Sequence, residues 1–431
     1  MISALRGRGT QIATWLASPQ GITASSLGCG LFSLWLRWDF ATDEHQPSHY
    51  LVGDMAIYVE QAQRIFHARD AWDTFTPPGF PAFLALLGNV ERLGGMHAFL
   101  GAFTTILTMS LTRRIDRSPW APLVAGLISA TYFPLIFYTG FALTESLFAF
   151  LLLAFANLLL HSVDRRMQWL SGFSGLILAL AILVRPSLLT FLPFFAGLAW
   201  RDKLARFPRW ALVVALLGLV PVAAHTSYLL GRPAVVASNG GVNFFLANSD
   251  CQSVRSTVLG RVVGVSTHYT RTHYTQECVI DRALLDEPWL YRAGLANVLK
   301  NPRRLWVTLD GLREGLGLVP YRPWPNQPYW PGSSEYGDRL NAFSQAYFWL
   351  LLLPAGLHGL WRRKTIAHSN TESLARRLSW MLLASVGIAI CLYNGNPRVR
   401  VSSDPITMAL AASAMVAGAK HLVLRLRGLR N

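Results

Sequence analysis

The feature that most constrains the fold is a succession of long apolar segments separated by short polar ones. A helix needs roughly 20 mostly apolar residues to cross the hydrocarbon core of a membrane. Only 14% of the residues are charged, against about 25% in an average globular domain. Ten segments fit a membrane span: 20–38, 95–112, 119–138, 141–160, 168–184, 187–200, 210–230, 343–361, 378–393 and 404–424. The sequence therefore predicts an all-α polytopic membrane protein with ten or eleven transmembrane helices.

Two segments leave the number of spans open. Segment 168–200 could form a single helix broken at Arg185-Pro186, because proline interrupts a helical hydrogen-bond ladder. Segment 79–93 is short and ends in Glu91-Arg92. It is interpreted as a partly inserted helix, and an eleventh span is the alternative.

The net charge of +16 is distributed so as to orient the chain in a membrane. Cytoplasmic segments of membrane proteins carry an excess of Lys and Arg. With ten spans, 20 basic and four acidic residues fall in the terminal and short connecting segments of one side. Both termini are then cytoplasmic, and segment 39–78 on the opposite side holds seven acidic and two basic residues. Because topology explains most of the charge, we expect no nucleic-acid partner.

This topology divides the chain into three parts. An N-terminal transmembrane module, 1–230, includes the external segment 39–78, and an external region, 231–342, precedes the C-terminal transmembrane helices in 343–431. External segments of this length are usually folded or functional. Cys251 and Cys278 both lie in 231–342 and could form a disulfide there, since oxidising compartments lie outside the cytoplasm.

The first external segment contains an amphipathic helix that begins at Asp54. Tyr58 and Ala62 follow at intervals of four residues, which places them on one face of a helix suited to a membrane surface. Asp54 could serve only as the helix N-cap. It could also be a general base at the boundary between water and lipid, where partial desolvation raises the basicity of a carboxylate.

Further ionisable residues lie near the same predicted membrane face. Glu145 begins an apolar helix, where it could favour the helix dipole or belong to a functional site. Arg185 interrupts an apolar segment, and Arg398 and Arg400 precede the last span. These arginines could reach lipid headgroups or hold a lipid phosphate through charge-assisted hydrogen bonds.

The start of region 231–342 combines glycines, aromatic residues and the amides Asn243 and Asn248. The planar amide donors suit a sugar-binding site. The alternative interpretation of this stretch is a turn followed by a short buried element. The sequence contains no phosphate-binding loop, no glycine-rich nucleotide fingerprint and no G-x-S-x-G motif. ATP-driven transport and serine-hydrolase chemistry are therefore not supported.

Taken in order, these residues resemble the GT-C superfamily of polyprenyl-phosphate-sugar glycosyltransferases. The resemblance is greatest to bacterial relatives of protein O-mannosyltransferases and of the lipid A aminoarabinose transferase. In the last motif, Ser402-Ser403-Asp404-Pro405 follows Arg400 where the family usually has Arg-Tyr-x-x-Pro. The matching features are Asp54 with Tyr58 and Ala62, Pro77-Pro78, Thr144-Glu145-Ser146-Leu147-Phe148, Arg185-Pro186, Asn239-Gly240-Gly241 with Asn243 and Asn248, and Pro397-Arg398-Val399-Arg400.

The resemblance implies an inverting transfer of a sugar from a polyprenyl-phosphate donor to a glycan, lipid or protein acceptor. It implies that Asp54 deprotonates the acceptor hydroxyl and that Glu145 orients substrate or helps to activate the acceptor. The arginines would neutralise the leaving phosphate. It further implies a bacterial inner membrane with the active site on the periplasmic side. Some family members use a divalent metal and others do not, and no ligand set is evident in this sequence.

Two other functions remain open from sequence alone. A transporter or lipid flippase would have ionisable residues near the membrane midplane and repeated halves. A structural subunit of an envelope-polysaccharide assembly complex would have no chemistry of its own. The sequence has no evident repeat, and its candidate polar residues cluster near one predicted face.

Overall fold

The computed structural model describes residues 11–51, 53–66, 73–201, 204, 206–258, 262–264, 276–301, 312, 346, 348–359, 370–393 and 397–428. The protein is predominantly helical, as predicted. In the N-terminal part the helices are α1 (Pro19–Asp39), α2 (Asp54–Phe66), α3 (Gly79–Leu87), α4 (Leu93–Ile115), α5 (Trp120–Thr131), α6 (Phe133–Phe137), α7 (Glu145–Arg165), α8 (Gln168–Val184), α9 (Leu192–Arg201) and α10 (Arg206–Leu230). Beyond residue 230 they are α11 (Gly240–Ala247), α12 (Glu287–Lys300), α13 (Phe348–Gly359), α14 (Asn370–Tyr393), α15 (Pro397–Val401) and α16 (Asp404–Gly428).

Five of the described helices are long and apolar enough to cross a membrane, or six if one bent pair is a single span. The five are Val90–Ile115, Glu145–Arg165, Arg206–Leu230, Asn370–Tyr393 and Asp404–Val423. Shorter apolar helices occupy Gln168–Val184, Pro186–Trp200 and Phe348–Gly359. A multi-pass helical membrane protein is thus confirmed, and the number of ten or eleven spans stays a prediction.

Helix α7 forms the centre of the bundle, and α10 lies at its periphery. The most apolar window of α7 is 83% buried inside the protein, whereas that of α10 is only 22% buried. Leu216, Leu217 and Val220 on α10 are exposed. Exposed aliphatic side chains on a spanning helix are expected where the helix contacts lipid. The end of α7 that begins at Glu145 is therefore shielded by other helices from the lipid-facing surface.

Three interruptions of helical structure shape the region around the site. The pair α5 and α6 bends by 51° at Tyr132, which has extended backbone angles before the proline of α6. Helix α8 ends before Arg185, also extended, and Pro186 begins a 3-10 turn. Helix α3 has nine residues and ends just before Gly88, whose φ is 70°. At about 1.5 Å per residue α3 alone is too short to span.

Region 231–342 contains a small sheet that the sequence pattern did not predict. Its strands are β1 (Cys251–Ser256), β2 (Val262–Gly264) and β3 (Gln276–Ile280), in the order β2-β1-β3. Strand β1 pairs antiparallel with β2 and parallel with β3. A disulfide joins Cys251 to Cys278, 27 residues apart. Almost all of 302–345 lies outside the described residues.

Candidate active site

Four charged side chains from distant parts of the sequence meet at one end of the helical bundle. Asp54 is the first residue of α2, and Glu145 is the first residue of α7. Arg185 follows the last residue of α8, and Arg398 lies in the short helix α15. Each residue thus lies at or beside a helix end, where the chain leaves the apolar interior. We call these four residues the charged cluster.

Glu145 is the buried centre of the charged cluster. Its side chain is 0% exposed, which makes an unpaired charge there very costly. The Oε1 atom accepts a hydrogen bond of 2.5 Å from Arg185 Nη2 and another from Arg398 Nε. Oε2 is buried and has no hydrogen-bond partner among the described residues. Two guanidinium groups therefore stabilise one carboxylate that water does not reach.

Arg185 also fixes the surroundings of Glu145. Its Nε donates to Thr144 Oγ1 over 2.8 Å, and its Nη1 donates to the backbone carbonyl of Arg398 over 3.4 Å. The guanidinium lies over the ring of Phe148, 5.5 Å from the centroid. Because its donors point in several fixed directions, one arginine connects α7, α8 and α15.

Arg398 links the buried carboxylate to an exposed one. Its Nη1 lies 3.0 Å from Oδ2 of Asp54, whose side chain is 57% exposed. Burial lowers the pKa of the Arg398 guanidinium, but the charges of Glu145 and Asp54 raise it, and the resulting pKa lies well above the usual value. Arg398 is therefore cationic, and it joins a buried carboxylate to one that solvent reaches.

The start of α2 shows why Asp54 reaches Arg398. Gly53 has a φ of 57°, a backbone conformation that side-chain-bearing residues rarely adopt. This turn starts the helix at Asp54, and the carboxylate contacts Arg398 from another part of the chain. Tyr58 is partly buried one turn later, edge-on to Phe80 with ring centroids 5.2 Å apart. Burial, together with the nearby charge of Asp54, raises the pKa of the Tyr58 phenol.

Arg400 does not join the charged cluster. Its Nε lies 3.1 Å from Oδ1 of Asp404, and its guanidinium stacks on Phe348, 3.4 Å from the ring centroid. Its Nη2 donates to the Tyr132 hydroxyl over 3.4 Å. The structure thus separates two arginines that the sequence grouped together.

The other predicted site residues lie on a different element. Asn243 and Asn248 are on and just after α11, which packs against α12. The Nδ2 of Asn248 donates to the carbonyl of Phe244 in its own helix over 2.8 Å. That bond fits the alternative of a short buried element, and a role for either asparagine in sugar binding stays a prediction.

Sequence reasoning missed two polar residues beside the cluster, Tyr132 and Asp404. Proline at position 134 signals a helix break near Tyr132. Asp404-Pro405 has the form of a helix start, since acidic residues and proline favour the first turn. These signals predict local structure, but they do not reveal that the two side chains meet.

The described residues of the charged cluster do not form a set of metal ligands. Within the described parts of the chain, no three or more His, Cys, Asp or Glu residues are grouped so that they could hold one. The Arg398 guanidinium already occupies the position between Asp54 and Glu145. The arrangement instead suits an anion that competes for the arginines.

The chain matches no protein-family model and no curated protein. Among solved structures, it is similar to the crystal structure of the Archaeoglobus fulgidus oligosaccharyltransferase, tethered through a disulfide bond with an acceptor peptide containing the NVT sequon. The two chains are 13% identical with a TM-score of 0.46, and the match covers 95% of this chain and 51% of the other. The chain therefore spans about half the length of that oligosaccharyltransferase.

Proposed function

We propose that the chain is a membrane glycosyltransferase of the GT-C type. It moves a sugar from a polyprenyl-phosphate donor to a hydroxyl of a glycan, lipid or protein acceptor. The observation that carries the proposal is the convergence of Asp54, Glu145, Arg185 and Arg398 at one end of an apolar helical bundle. The motif order described above supports the same assignment, with the site on the periplasmic side of a bacterial inner membrane.

The exposed carboxylate suits the role of general base. Asp54 takes the proton of the acceptor hydroxyl, and the acceptor oxygen forms a bond to the anomeric carbon of the sugar. The bond between that carbon and the phosphate oxygen breaks, and the phosphate leaves with the bonding electrons. Attack opposite the leaving group inverts the anomeric configuration. Because 57% of the Asp54 side chain is exposed, an acceptor reaches it without passing through the bundle.

The arginines suit the leaving group. Arg398 and Arg185 are cationic donors that stabilise negative charge developing on the phosphate, a form of catalysis that is strongest where water is excluded. Glu145 positions both guanidiniums through Oε1. The apolar helices around the site offer a surface against which a polyprenyl chain can pack. The donor is already activated by its phosphate, so the reaction as proposed uses no nucleotide.

Replacing Asp54 tests this assignment. In membranes supplied with radiolabelled polyprenyl-phosphate sugars, Asp54→Asn should slow glycosyl transfer and release of polyprenyl phosphate by about 100-fold or more, since the base is lost. Glu60→Gln is the matched control, because Glu60 lies on the same helix and is exposed and paired with Arg64. Full activity of Asp54→Asn would remove Asp54 from the mechanism. Translocation of the labelled lipid without glycosyl product would contradict the transferase and favour a transporter.

A further inference from the structure

A second polar cluster lies directly behind the helical turn that carries Arg398. Arg400 pairs with Asp404 through Nε and Oδ1, 3.1 Å apart. The Tyr132 hydroxyl donates to Asp404 Oδ2 over 2.7 Å and accepts from Arg400 Nη2 over 3.4 Å. All three side chains are buried. We call Tyr132, Arg400 and Asp404 the support cluster.

The support cluster is held by three separate elements. Tyr132 lies at the bend between α5 and α6, Arg400 lies in α15, and Asp404 begins α16. Phe348 of α13 closes the cluster under the Arg400 guanidinium. The Tyr132 hydroxyl bonds to both members of this buried ion pair and so fixes where they lie, because a buried charge that loses its partner is costly.

The contacts of the support cluster restrict the position of Arg398. Helix α15 has only five residues, too few to be stable by itself. One end of the turn is fixed because Ser403 donates to the Arg400 carbonyl through both its backbone N–H and Oγ, each over 2.7 Å. The Arg398 carbonyl accepts from Arg185 Nη1. The backbone that carries Arg398 is therefore held at its own carbonyl and again at Arg400, two residues later.

We propose that Tyr132, Arg400 and Asp404 are positioning residues that hold Arg398 in place for the donor phosphate. The inference rests on the proposed function, because it assigns Arg398 to that phosphate. The support cluster does not touch the donor in this account. It acts through Arg398 alone, and its loss therefore weakens binding and transfer only while Arg398 is present.

The test measures binding of decaprenyl monophosphate to the purified full chain in detergent. Tyr132→Phe removes one hydroxyl and should weaken binding roughly tenfold, the effect expected for one hydrogen bond to a charged group. Asp404→Asn should weaken it further. In an Arg398→Ala background neither change should weaken binding again, because the residue through which the support cluster acts is absent. With labelled donor, Tyr132→Phe should raise KM more than it lowers kcat.

Ser413→Ala is the matched control. Ser413 is buried on α16, the helix of Asp404, and donates to Asp116 Oδ2 over 2.5 Å at the other end of the bundle. It should alter thermal stability without altering the affinity for decaprenyl monophosphate. If Asp404→Asn does not fold, Tyr132→Phe decides alone, because phenylalanine keeps the ring and its packing.

The outcomes separate the two hypotheses. Unchanged binding by Tyr132→Phe would overturn the positioning role and leave the proposed function intact. Equal weakening in the presence and absence of Arg398, or equal weakening by Ser413→Ala, would also overturn that role, since each would indicate general destabilisation. Failure of the unaltered chain to bind decaprenyl monophosphate would overturn the proposed function and this inference with it.

Discussion

At the scale of single residues, Arg398 is shared between Glu145, which positions its guanidinium, and Asp54, which competes with an incoming phosphate for it. Asp54 is the exposed member of its pair with Arg398, and ion pairs that water reaches contribute about 0.2–1 kcal/mol. Asp54→Asn removes this competitor while keeping the shape of the side chain. Binding of decaprenyl monophosphate should therefore tighten about two- to fivefold even as transfer is lost. Isothermal titration of the detergent-purified chain measures the affinity.

The matched control for this prediction is Glu60→Gln. It removes an equally exposed charge from the same helix, since the Glu60 side chain is 59% exposed, and its partner is Arg64 rather than Arg398. We expect no change in affinity. Weaker binding by Asp54→Asn would contradict competition for Arg398 and would indicate that Asp54 itself helps to hold the donor.

The difference between Arg398 and Arg400 shows how far sequence reasoning reached. Both arginines precede the last span and were predicted to bind phosphate. Residues two apart on a helical turn are rotated by about 200° around its axis and so point to nearly opposite sides, which lets only one of them face a given site. The local sequence does not show which arginine faces the site, because that depends on the contacts of Arg400 with Asp404 and Tyr132 behind the turn.

At the scale of elements, the helix that begins at Asp54 was predictable and the bend at Tyr132 was not predicted. The spacing of Tyr58 and Ala62 indicates one face of a helix, and the structure buries Ala62 and partly buries Tyr58 there. Segment 119–138 was predicted as one span although it contains Pro134. The strands of region 231–342 were missed because they are short and alternate only weakly between apolar and polar residues.

The bend between α5 and α6 leaves backbone carbonyls without helical partners, and Arg37 of α1 satisfies two of them. Its Nη2 donates to Ser129 O over 2.9 Å and its Nη1 to Ala130 O over 3.2 Å. A methyl group on Gly101 would lie 2.3 Å from Arg37 Cδ. Gly101→Ala should therefore lower the melting temperature in detergent by several degrees, because the fully buried arginine must move.

Gly28→Ala is the control for this element. Gly28 lies on α1 itself, and no atom lies within 4 Å of an added methyl group. Alanine favours a helix over glycine by about 1 kcal/mol, so this variant should melt at the same or a higher temperature. A scanning-fluorimetry measurement compares the two variants. Equal melting of Gly101→Ala and the unaltered chain would show that Arg37 does not restrict this contact.

At the scale of the whole molecule, the two ends of α7 carry different charge. Asp54, Glu145, Arg185 and Arg398 meet at its first residue, while Arg114 pairs with Asp164 next to its last. A helix of 21 residues is about 30 Å long, close to the thickness of a hydrocarbon core. The ends of α7 therefore lie at opposite membrane faces. The end near Arg113, Arg114, Arg165 and Arg166 should be cytoplasmic, because positive charge is retained on that side.

Single cysteines report this orientation directly. In a background with Cys29 and Cys391 replaced by alanine, a cysteine at Glu60 should react with a membrane-impermeant maleimide added to intact spheroplasts. A cysteine at Asp164 should react only after the membrane is permeabilised. Both side chains are accessible to solvent, so lack of reaction reports the membrane and not burial. The opposite pattern would place the charged cluster in the cytoplasm, where a polyprenyl-phosphate donor on the outer leaflet could not reach Arg398.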